Sequence, residues 1–233
     1  MIEMPTCDDC NVLSKSYLNI LDDSDVFDLS INKSCSIYKK GQTIFHEGKT
    51  PTGIYCLNSG KVKIYKHGKD GKEQIVRFVT PGEFLGIRSI LGDKSYSASS
   101  TTLEDSVICF ITKSDFFYIL KKYPKISNRL IAFLSQLLAD AESKITSLAQ
   151  KPVRERLAES LIVLGSVFSE DGNNSPGVIT LSREDIANIV GTATETVIRL
   201  LSEFKDENLI TSKGRKITLV DIPGIKKIAR TYE

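Results

Sequence analysis

The order of apolar and polar positions divides the chain into segments of different texture. Between residues 34 and 112, short apolar or alternating runs are separated by turns that contain glycine. The runs cover residues 35–38, 43–45, 54–57, 62–65, 74–79, 96–102 and 106–111. Strands at this spacing predict a β-sandwich or β-barrel. Residues 67–72 predict a hairpin tip, because Gly68 and Gly71 can adopt positive φ.

Helical patterns flank this β-rich segment. Before it, residues 14–21 and 25–29 predict two short helices in an acidic cap. After it, residues 115–123 predict a helix that stops at Pro124, and residues 126–150 predict a long helix that Pro152 closes. The remainder predicts a helix at 154–168, a polar loop at 169–177, a short strand at 178–181 and two further helices.

The long helix carries apolar residues at intervals of three and four, close to the spacing of a coiled-coil seam. These residues are Leu130, Leu134, Leu137, Ala141, Ile145 and Leu148. One interpretation is that the helix packs only on its own domain. We favour a two-fold dimer helix, because so small a β-domain need not cover a helix of this length.

Near the C-terminus, a short helix, a glycine and a second helix follow one another. Ser182 and Asp185 have the spacing of a capping box, and Gly191 permits a tight turn before the helix that begins near Thr194. This order is typical of a helix-turn-helix that reads DNA. Residues 209–219 predict a hairpin, or wing, with a basic tip beside it.

Two residues of the second helix have the chemistry for reading bases. Arg199 can donate two hydrogen bonds to a guanine edge, and Glu195 can accept one from a cytosine amine. The alternative is an i, i+4 surface ion pair worth a few tenths of a kcal/mol. We favour base reading because the helix is second in the motif. The full predicted DNA-binding set is Ser182, Thr192, Thr194, Glu195, Thr196, Arg199, Lys213, Arg215 and Lys216.

Charge at first argues against a nucleic-acid partner. The 233 residues carry 31 basic and 29 acidic side chains, for a net charge of +2. A chain-wide basic footprint is therefore missing. The total, however, averages an acidic first 28 residues with a neutral region after residue 150. DNA binding would then depend on the local placement of basic side chains and on a dimer that reads two half-sites.

Composition also narrows the function classes. No apolar run approaches the ~20 residues of a membrane span, and the first residues form no apolar signal core. We therefore expect a cytoplasmic protein without a membrane partner, whose five cysteines are packing residues, metal ligands or redox groups. No Ser/His/Asp set or phosphate-binding loop is evident, and two histidines offer little general-base capacity, so we expect no enzyme.

The order of parts resembles the CRP/FNR family of bacterial transcription regulators. The motifs that carry the resemblance are KGQTIFHEG at 40–48, GKVKIY at 60–65, PGEFLG at 81–86, LSREDIA at 181–187 and TETVIRLL at 194–201. The resemblance implies an α+β fold with an N-terminal β-roll, jelly-roll-like and similar to cyclic-nucleotide-binding domains, then a long dimerisation helix and a C-terminal winged helix-turn-helix. We expect an acidic cap with the Cys7–Cys10 pair at 1–28, the β-roll at 29–124, the dimerisation helix at 125–151 and the winged helix-turn-helix at 152–233.

The resemblance also implies a function. Family members are homodimeric regulators that bind a two-fold symmetric operator in double-stranded DNA, under the control of a signal sensed in the β-roll. Glu195 and Arg199 match the family residues that read the half-site core, whereas Ile198 departs from the FNR pattern. The loop at 92–94 matches a loop that contacts RNA polymerase in activating relatives.

Cyclic-nucleotide members of the family place a glutamate after the glycine that matches Gly86, and an arginine before the serine that matches Ser97. Here those positions hold Ile87 and Tyr96, so we expect no cyclic AMP binding. This argues against the alternative of a cyclic-nucleotide sensor module. The corresponding effector pocket would comprise Glu83, Gly86, Ile87, Tyr96 and Ser97.

The FNR branch instead holds an iron-sulfur cluster with three N-terminal cysteines and one in the β-roll. Cys7 and Cys10 resemble the first two and Cys109 the last, but Ser16 stands near the third position, where a serine would be a poor ligand. Cys35 or an aspartate such as Asp8, Asp9 or Asp22 would have to complete the set. Otherwise the cysteine pair binds zinc, is a redox pair or is inert, and the regulator has no cofactor or takes another effector. Cys35 and Cys56 are interpreted as structural.

Overall fold

The computed structural model describes residues 5–169 and 178–230. The predicted loop at 169–177 lies outside the described residues except for Ser169, as do the first four residues of the acidic cap. The chain forms two compact units, residues 1–67 with 76–139 and residues 68–75 with 140–233. Among the described residues, no helix combines the length and apolar character that a membrane span requires.

Two four-stranded sheets form the β-roll, which belongs to the first unit apart from residues 73–75. Their strands are β1 (Ser34–Tyr38), β2 (Thr43–Phe45), β3 (Gly53–Ser59), β4 (Val62–His67), β5 (Glu73–Val79), β6 (Phe84–Leu85), β7 (Ser99–Thr102) and β8 (Ser106–Thr112). One sheet has the order β1-β8-β3-β6 and the other β2-β7-β4-β5. The sequence pattern located seven of these eight strands and missed β6, whose two residues give no alternation.

Alternation along the strands builds a core on each face of the first sheet. Leu57 of β3 and Ile108 of β8 pack with residues of the second sheet, including Val62 of β4. Ile54 and Ile111 belong to the other cluster, which helices cover. Because successive strand residues point to opposite faces, the strands themselves separate the two clusters.

In the described part of the chain, four α-helices belong wholly or partly to the first unit. They are α1 (Asp23–Asn32), α2 (Ile87–Leu91), α3 (Lys113–Lys122) and α4 (Pro124–Gln150). The prediction of a helix at 14–21 is wrong, since only the single 3-10 turn Leu13–Lys15 forms there. The Ser16 hydroxyl donates to the Leu13 carbonyl (2.9 Å) and accepts from the Leu18 N–H (3.1 Å), local bonds that compete with a helix.

The second unit consists of helices and a small sheet. Its elements are α5 (Val153–Val167), β9 (Ile179–Thr180), α6 (Arg183–Val190), α7 (Thr194–Asp206), β10 (Ile210–Lys213), β11 (Lys216–Leu219) and α8 (Ile222–Ala229). The sheet order is β10-β11-β9, all antiparallel. Leu161 of α5, Ile186 of α6 and Phe204 of α7 are fully buried in this unit. Helix α8, which the sequence pattern did not predict, is capped by Asp221, whose carboxylate accepts from the Gly224 N–H.

Candidate nucleic-acid interface and cysteine cluster

A tight turn joins α6 to α7. The Ser182 hydroxyl caps α6 by accepting from the Asp185 N–H at 2.9 Å, as the capping box predicted. Gly191 ends α6 with φ of 73°, and its N–H donates to the Ala187 carbonyl at 2.8 Å. A Cβ atom on Gly191 would lie 2.8 Å from the Leu148 Cδ2 atom, so both the backbone conformation and the available space favour glycine.

Side chains distant in sequence bind the carbonyl groups of this turn. Arg156 of α5 donates to the Val190 and Gly191 carbonyls at 3.0 and 3.2 Å. Gln74 donates to the Asn188 carbonyl at 2.6 Å. These bonds satisfy the carbonyl end of α6, which would otherwise lack partners. The pattern analysis did not identify Arg156 or Gln74, because neither belongs to the motif.

Helix α7 has one buried and one exposed face. Its buried residues are Val197, Leu200, Leu201 and Phe204. Glu195, Ile198 and Arg199 are exposed on the other side. The i, i+4 ion pair of Arg199 is made with Glu203 and not with Glu195. Glu195 takes part in no ion pair within the part of the chain that the structure describes.

The first turn of α7 has no side-chain cap, because its N-cap residue is Ala193. Its backbone N–H groups are therefore available to an anion, as at other helix N-termini. Thr192, Thr194 and Thr196 are half-buried around this turn.

Ser182, by contrast, is engaged within α6, since its hydroxyl also donates to the Asp185 carboxylate at 2.7 Å. Both hydrogen-bonding capacities of Ser182 thus serve the start of α6.

Strands β10 and β11 form the wing. Its tip turns at Gly214, which has φ of 59°, and Lys213, Arg215 and Lys216 around it are exposed. Arg183, in the first turn of α6, donates to the Gly214 carbonyl at 3.0 Å. This bond connects the wing tip to α6. Arg183 was not among the predicted functional residues.

An apolar stripe runs along the exposed side of α4. Ile131, Leu138 and Ile145 are 62%, 61% and 66% exposed and are seven residues apart. Leu134, Ala141 and Leu148 lie between or beyond them, so the intervals alternate between three and four. The predicted seam is wrong at Leu130, which is 1% exposed because it packs in the core of the first unit. At the predicted position Leu137 the side chain is half-buried, and its neighbour Leu138 is the more exposed of the two.

Three cysteines lie side by side on the helix-covered face of the first sheet. Cys109 of β8 is directly opposite Cys35 of β1 on one side and Cys56 of β3 on the other. Cys35 and Cys109 form a disulfide, with their Cα atoms 4.0 Å apart. Sheet register thus places Cys35 and Cys56 next to Cys109, where Cys35 is disulfide-bonded and Cys56 is a free thiol.

The N-terminal segment adds two more cysteines. Cys7 and Cys10 line a cavity of about 30 Å³ together with Cys56, Cys109 and Lys33. Asn58 donates to the Cys10 Sγ atom at 3.4 Å. Burial raises the pKa of the Cys7 thiol, although the ammonium of Lys33 opposes the shift. Burial, with the nearby Cys10 and Cys7, raises the pKa of Cys56 to about 12.

These residues do not fit a four-thiolate iron-sulfur cluster in the arrangement described. The Cys109 sulfur is bonded to Cys35, and the Ser16 hydroxyl is hydrogen-bonded to backbone groups in both directions. Asp22 caps α1 and accepts from the Tyr123 hydroxyl, while Asp8 and Asp9 are exposed. Within residues 5–169 and 178–230, no three His, Cys, Asp or Glu side chains are grouped to hold a metal ion.

The predicted effector-pocket residues are distributed among different environments. Glu83 accepts from the Thr80 N–H and hydroxyl at 2.6 and 2.9 Å, and Ile87 is buried in the helix-covered cluster. The Tyr96 ring stacks on Phe45, with centroids 4.0 Å apart, between the two sheets.

Two further positions complete this region. A Cβ on Gly86 would lie 3.0 Å from the Tyr96 ring, and the Ser97 hydroxyl accepts from Arg88. Aromatic packing thus occupies the space next to Gly86. The five residues predicted as a pocket are not all directed toward one cavity.

Two family models match the chain. A model of the cyclic nucleotide-binding domain matches residues 36–123, and a model of the Crp-like helix-turn-helix domain matches residues 155–228. The fumarate and nitrate reduction regulatory protein of Vibrio cholerae is 30% identical over 226 residues, which cover 96% of this chain and 90% of that protein. The transcriptional activator FnrA of Stutzerimonas stutzeri is 28% identical, covering 96% and 92% of the two chains.

Solved structures share the fold. FixK2 of Bradyrhizobium japonicum has a TM-score of 0.76 at 24% identity, covering 86% of this chain and 99% of its own. A variant of CooA from Carboxydothermus hydrogenoformans has a TM-score of 0.73 at 23% identity, covering 95% and 96%. The β-roll, the long helix and the helix-turn-helix agree with these relatives. The chain therefore belongs to the CRP/FNR family of DNA-binding transcription regulators, on its FNR branch.

Proposed function

We propose that this regulator acts as a homodimer that reads a two-fold symmetric operator through α7. The observation that carries the proposal is the exposed face of α7, where Glu195, Ile198 and Arg199 stand opposite a fully buried Val197 and Phe204. An α-helix held in this way fits the width of the DNA major groove. The turn at Gly191, bound by Arg156 and Gln74, supports its orientation.

Each exposed side chain of α7 has a role that follows from its chemistry. The Arg199 guanidinium can donate two hydrogen bonds to the O6 and N7 atoms of one guanine, and the Glu195 carboxylate can accept from a cytosine N4 amine. Ile198, 52% exposed beside Arg199, offers an apolar surface for a thymine methyl group. We assign base reading to these three residues.

Phosphate contacts come from the surroundings of the helix. The uncapped N–H groups at the start of α7, with Thr192, Thr194 and Thr196, suit a phosphate oxygen. Lys213, Arg215 and Lys216 at the wing tip supply exposed positive charges. Ser182 contributes by capping α6 rather than by direct contact. These groups set affinity and position but carry little sequence information.

The exposed stripe on α4 is the proposed dimer seam. Ile131, Leu138 and Ile145 are large apolar residues exposed by more than half, with Leu134, Ala141 and Leu148 at the intermediate seam positions. Knobs-into-holes packing with a second copy would remove this surface from water. A dimer also gives the two half-site contacts that a domain without excess positive charge needs for affinity.

Further parts of the proposal concern setting and signal. We place the protein in the cytoplasm, where its operator lies, and assign it no enzymatic reaction. The β-roll takes no cyclic nucleotide, because Ile87 and Tyr96 stand where the recognising carboxylate and guanidinium would be needed. The exposed loop at 92–94 is a candidate surface for RNA polymerase; within it, Asp93 pairs with Lys113 at 2.7 Å.

Selection from a random duplex DNA library tests the function. The expected enriched sites contain two copies of one half-site related by a two-fold axis, with centres about one helical turn apart or a multiple of it. Each half-site should contain a G·C pair that disappears from the consensus when Arg199→Ala is used. Enrichment of single, unpaired motifs, or no enrichment, would overturn the proposal.

A further inference from the structure

The geometry of the first sheet distinguishes the two neighbours of Cys109. In an antiparallel sheet, a residue forms a wide hydrogen-bonded pair with one neighbour and a narrow non-hydrogen-bonded pair with the other. The Cα atoms of Cys35 and Cys109 are only 4.0 Å apart, so this is the narrow pair. Cys56, opposite Cys109 on the other strand, forms the wide pair. Cys109 is therefore suited to bond with Cys35 and not with Cys56.

The pair is also accessible from one side. β1 is the edge strand of its sheet, and Cys35 is half-buried while Cys109 is 6% exposed. Cys35 is thus the more exposed residue of the pair, with the Pro5 carbonyl 3.8 Å from its Sγ atom, and its sulfur is the one that a small thiol would attack. In a reducing compartment, a disulfide is usually transient and serves catalysis or redox sensing.

We propose that Cys35 and Cys109 are a reversible dithiol–disulfide switch that controls DNA affinity. The proposal rests on the proposed function, because its output is operator binding. It differs from cluster-based sensing, since the Cys109 sulfur cannot both bridge to Cys35 and ligate iron.

The chemistry balances with two equivalents of a low-molecular-weight thiol. The first thiolate attacks the Cys35 sulfur, which forms a mixed disulfide and releases Cys109 as a thiolate that takes up a proton. The second thiolate attacks the sulfur of the small thiol, which releases Cys35 and a small disulfide. The protein gains two electrons and two protons. The same small disulfide reoxidises the pair by the reverse steps.

The surroundings of the pair connect it to the proposed dimer helix. The cysteine cavity lies next to a core cluster that contains Cys7 and Leu29 together with Ile126 and Leu130 of α4. β8 itself continues directly into α3, whose N-cap is Thr112. Reduction removes the covalent connection between β1 and β8 and adds a free Cys109 thiol to the cavity. The packing beneath α4 therefore has two covalently distinct states, as a switch requires.

The test compares wild-type protein, Cys35→Ser and Cys56→Ser in buffers of graded reduced and oxidised glutathione. Alkylation followed by peptide mass spectrometry measures each thiol, and fluorescence anisotropy measures the Kd for a duplex obtained by selection. Circular dichroism checks that each variant is folded, and Cys35→Ala replaces Cys35→Ser if the serine disturbs β1. Iron and sulfide are assayed in the same samples.

As the glutathione buffer becomes more oxidised, we expect Cys35 and Cys109 to lose reactivity toward the alkylating reagent together. This should occur in one two-electron transition, in the wild type and in Cys56→Ser. The Kd of both proteins should change by about tenfold or more across that transition, a common size for coupling between sites. The Kd of Cys35→Ser should stay constant. The inference would be overturned if the wild-type Kd were constant, or if both cysteines were alkylated at every glutathione ratio. It would also be overturned if the protein contained iron, with Cys109 protected from alkylation and Cys35 reactive. Binding of DNA at no ratio would overturn the proposed function as well.

Discussion

Arg199 forms its ion pair with Glu203, one turn further along α7, and not with Glu195, one turn before it. The Arg199 side chain is 65% exposed, and a surface pair of this kind contributes about 0–1 kcal/mol. A bidentate contact with guanine discriminates by about 1–3 kcal/mol. It is therefore favourable for Arg199 to leave Glu203 and bind a guanine edge instead. Glu195, which makes no ion pair with Arg199, is already available to a base.

Replacement of Glu203 by glutamine should preserve sequence preference. The change removes the carboxylate that holds Arg199 in the free protein, so we expect the operator Kd to stay within about twofold or to improve slightly. Competition binding with operator and scrambled duplexes measures this. Glu203 and Glu207 both pair with Arg154 of α5, but Arg199 pairs with Glu203 and not with Glu207. Glu207→Gln is therefore the matched control. Loss of preference in Glu203→Gln alone would contradict the assignment of Arg199 to base reading.

Arg215→Ala should weaken binding without changing which sequence is preferred. Arg215 is exposed at the wing tip, and we assign it to phosphate. The binding constant falls as salt rises, and loss of one phosphate contact makes the slope of log K against log salt less steep by about one. Titrations at several salt concentrations check the slope. Lys227→Ala, an exposed charge on α8, should leave the slope unchanged, and an equal effect of both changes would count against the wing.

Ile145→Glu should dissociate the dimer. Ile145 is 66% exposed in the free chain, and an unpaired carboxylate in the proposed seam would cost at least about 2 kcal/mol. Sedimentation equilibrium should show a dimer dissociation constant raised more than tenfold. Val220→Glu, at a site 57% exposed outside the stripe, should leave it unchanged.

Leu130→Ala distinguishes the observed stripe from the seam predicted by spacing. Leu130 is buried in the core of its own unit, so truncation should lower the free energy of unfolding by about 2–5 kcal/mol. The dimer dissociation constant, measured at a temperature where the variant is folded, should change little. If Leu130→Ala weakened the dimer and left the free energy of unfolding unchanged, Leu130 would have to be assigned to the dimer interface.

Acid should weaken the attachment of α1 through Asp22. Hydrogen bonds from the Tyr123 hydroxyl, the Asp25 N–H and Ser24 hold the pKa of Asp22 well below its usual range. A carboxyl with a lowered folded-state pKa stabilises the fold above its unfolded pKa of about 3.9, and this contribution is lost as pH falls toward the folded value. Urea unfolding of Asp22→Asn should therefore depend less on pH between about 5 and 3 than wild type.

Local signals allowed the DNA-reading motif to be predicted. The Ser182 cap, the turn at Gly191 and the buried residues of α7 all lie within about twenty residues of one another, so spacing alone specifies them. The contacts of Arg156 and Gln74 with the turn could not be predicted, since they join segments far apart in sequence.

The dimer stripe and the cysteine cluster depend on packing and register that a local sequence pattern does not encode. Apolar residues are adjacent at Leu130 and Ile131 and again at Leu137 and Leu138, so periodicity cannot decide which of each pair faces inward. Packing in the core of the first unit decides it at Leu130, and at the second pair Leu138 is the more exposed residue. Cys35, Cys56 and Cys109 lie on strands that are neighbours in the sheet but not in sequence, and their pairing depends on a register that one sequence does not reveal.

The proposed function depends above all on base reading by Arg199 of α7. The most direct measurement is the Kd of wild type and Arg199→Ala for a selected operator and for a scrambled duplex at one salt concentration. We predict that wild type prefers the operator by a factor of about 10³ or more, typical of specific binding. Arg199→Ala should lose at least about tenfold of that ratio while keeping its affinity for scrambled DNA. An unchanged ratio in Arg199→Ala would contradict the account.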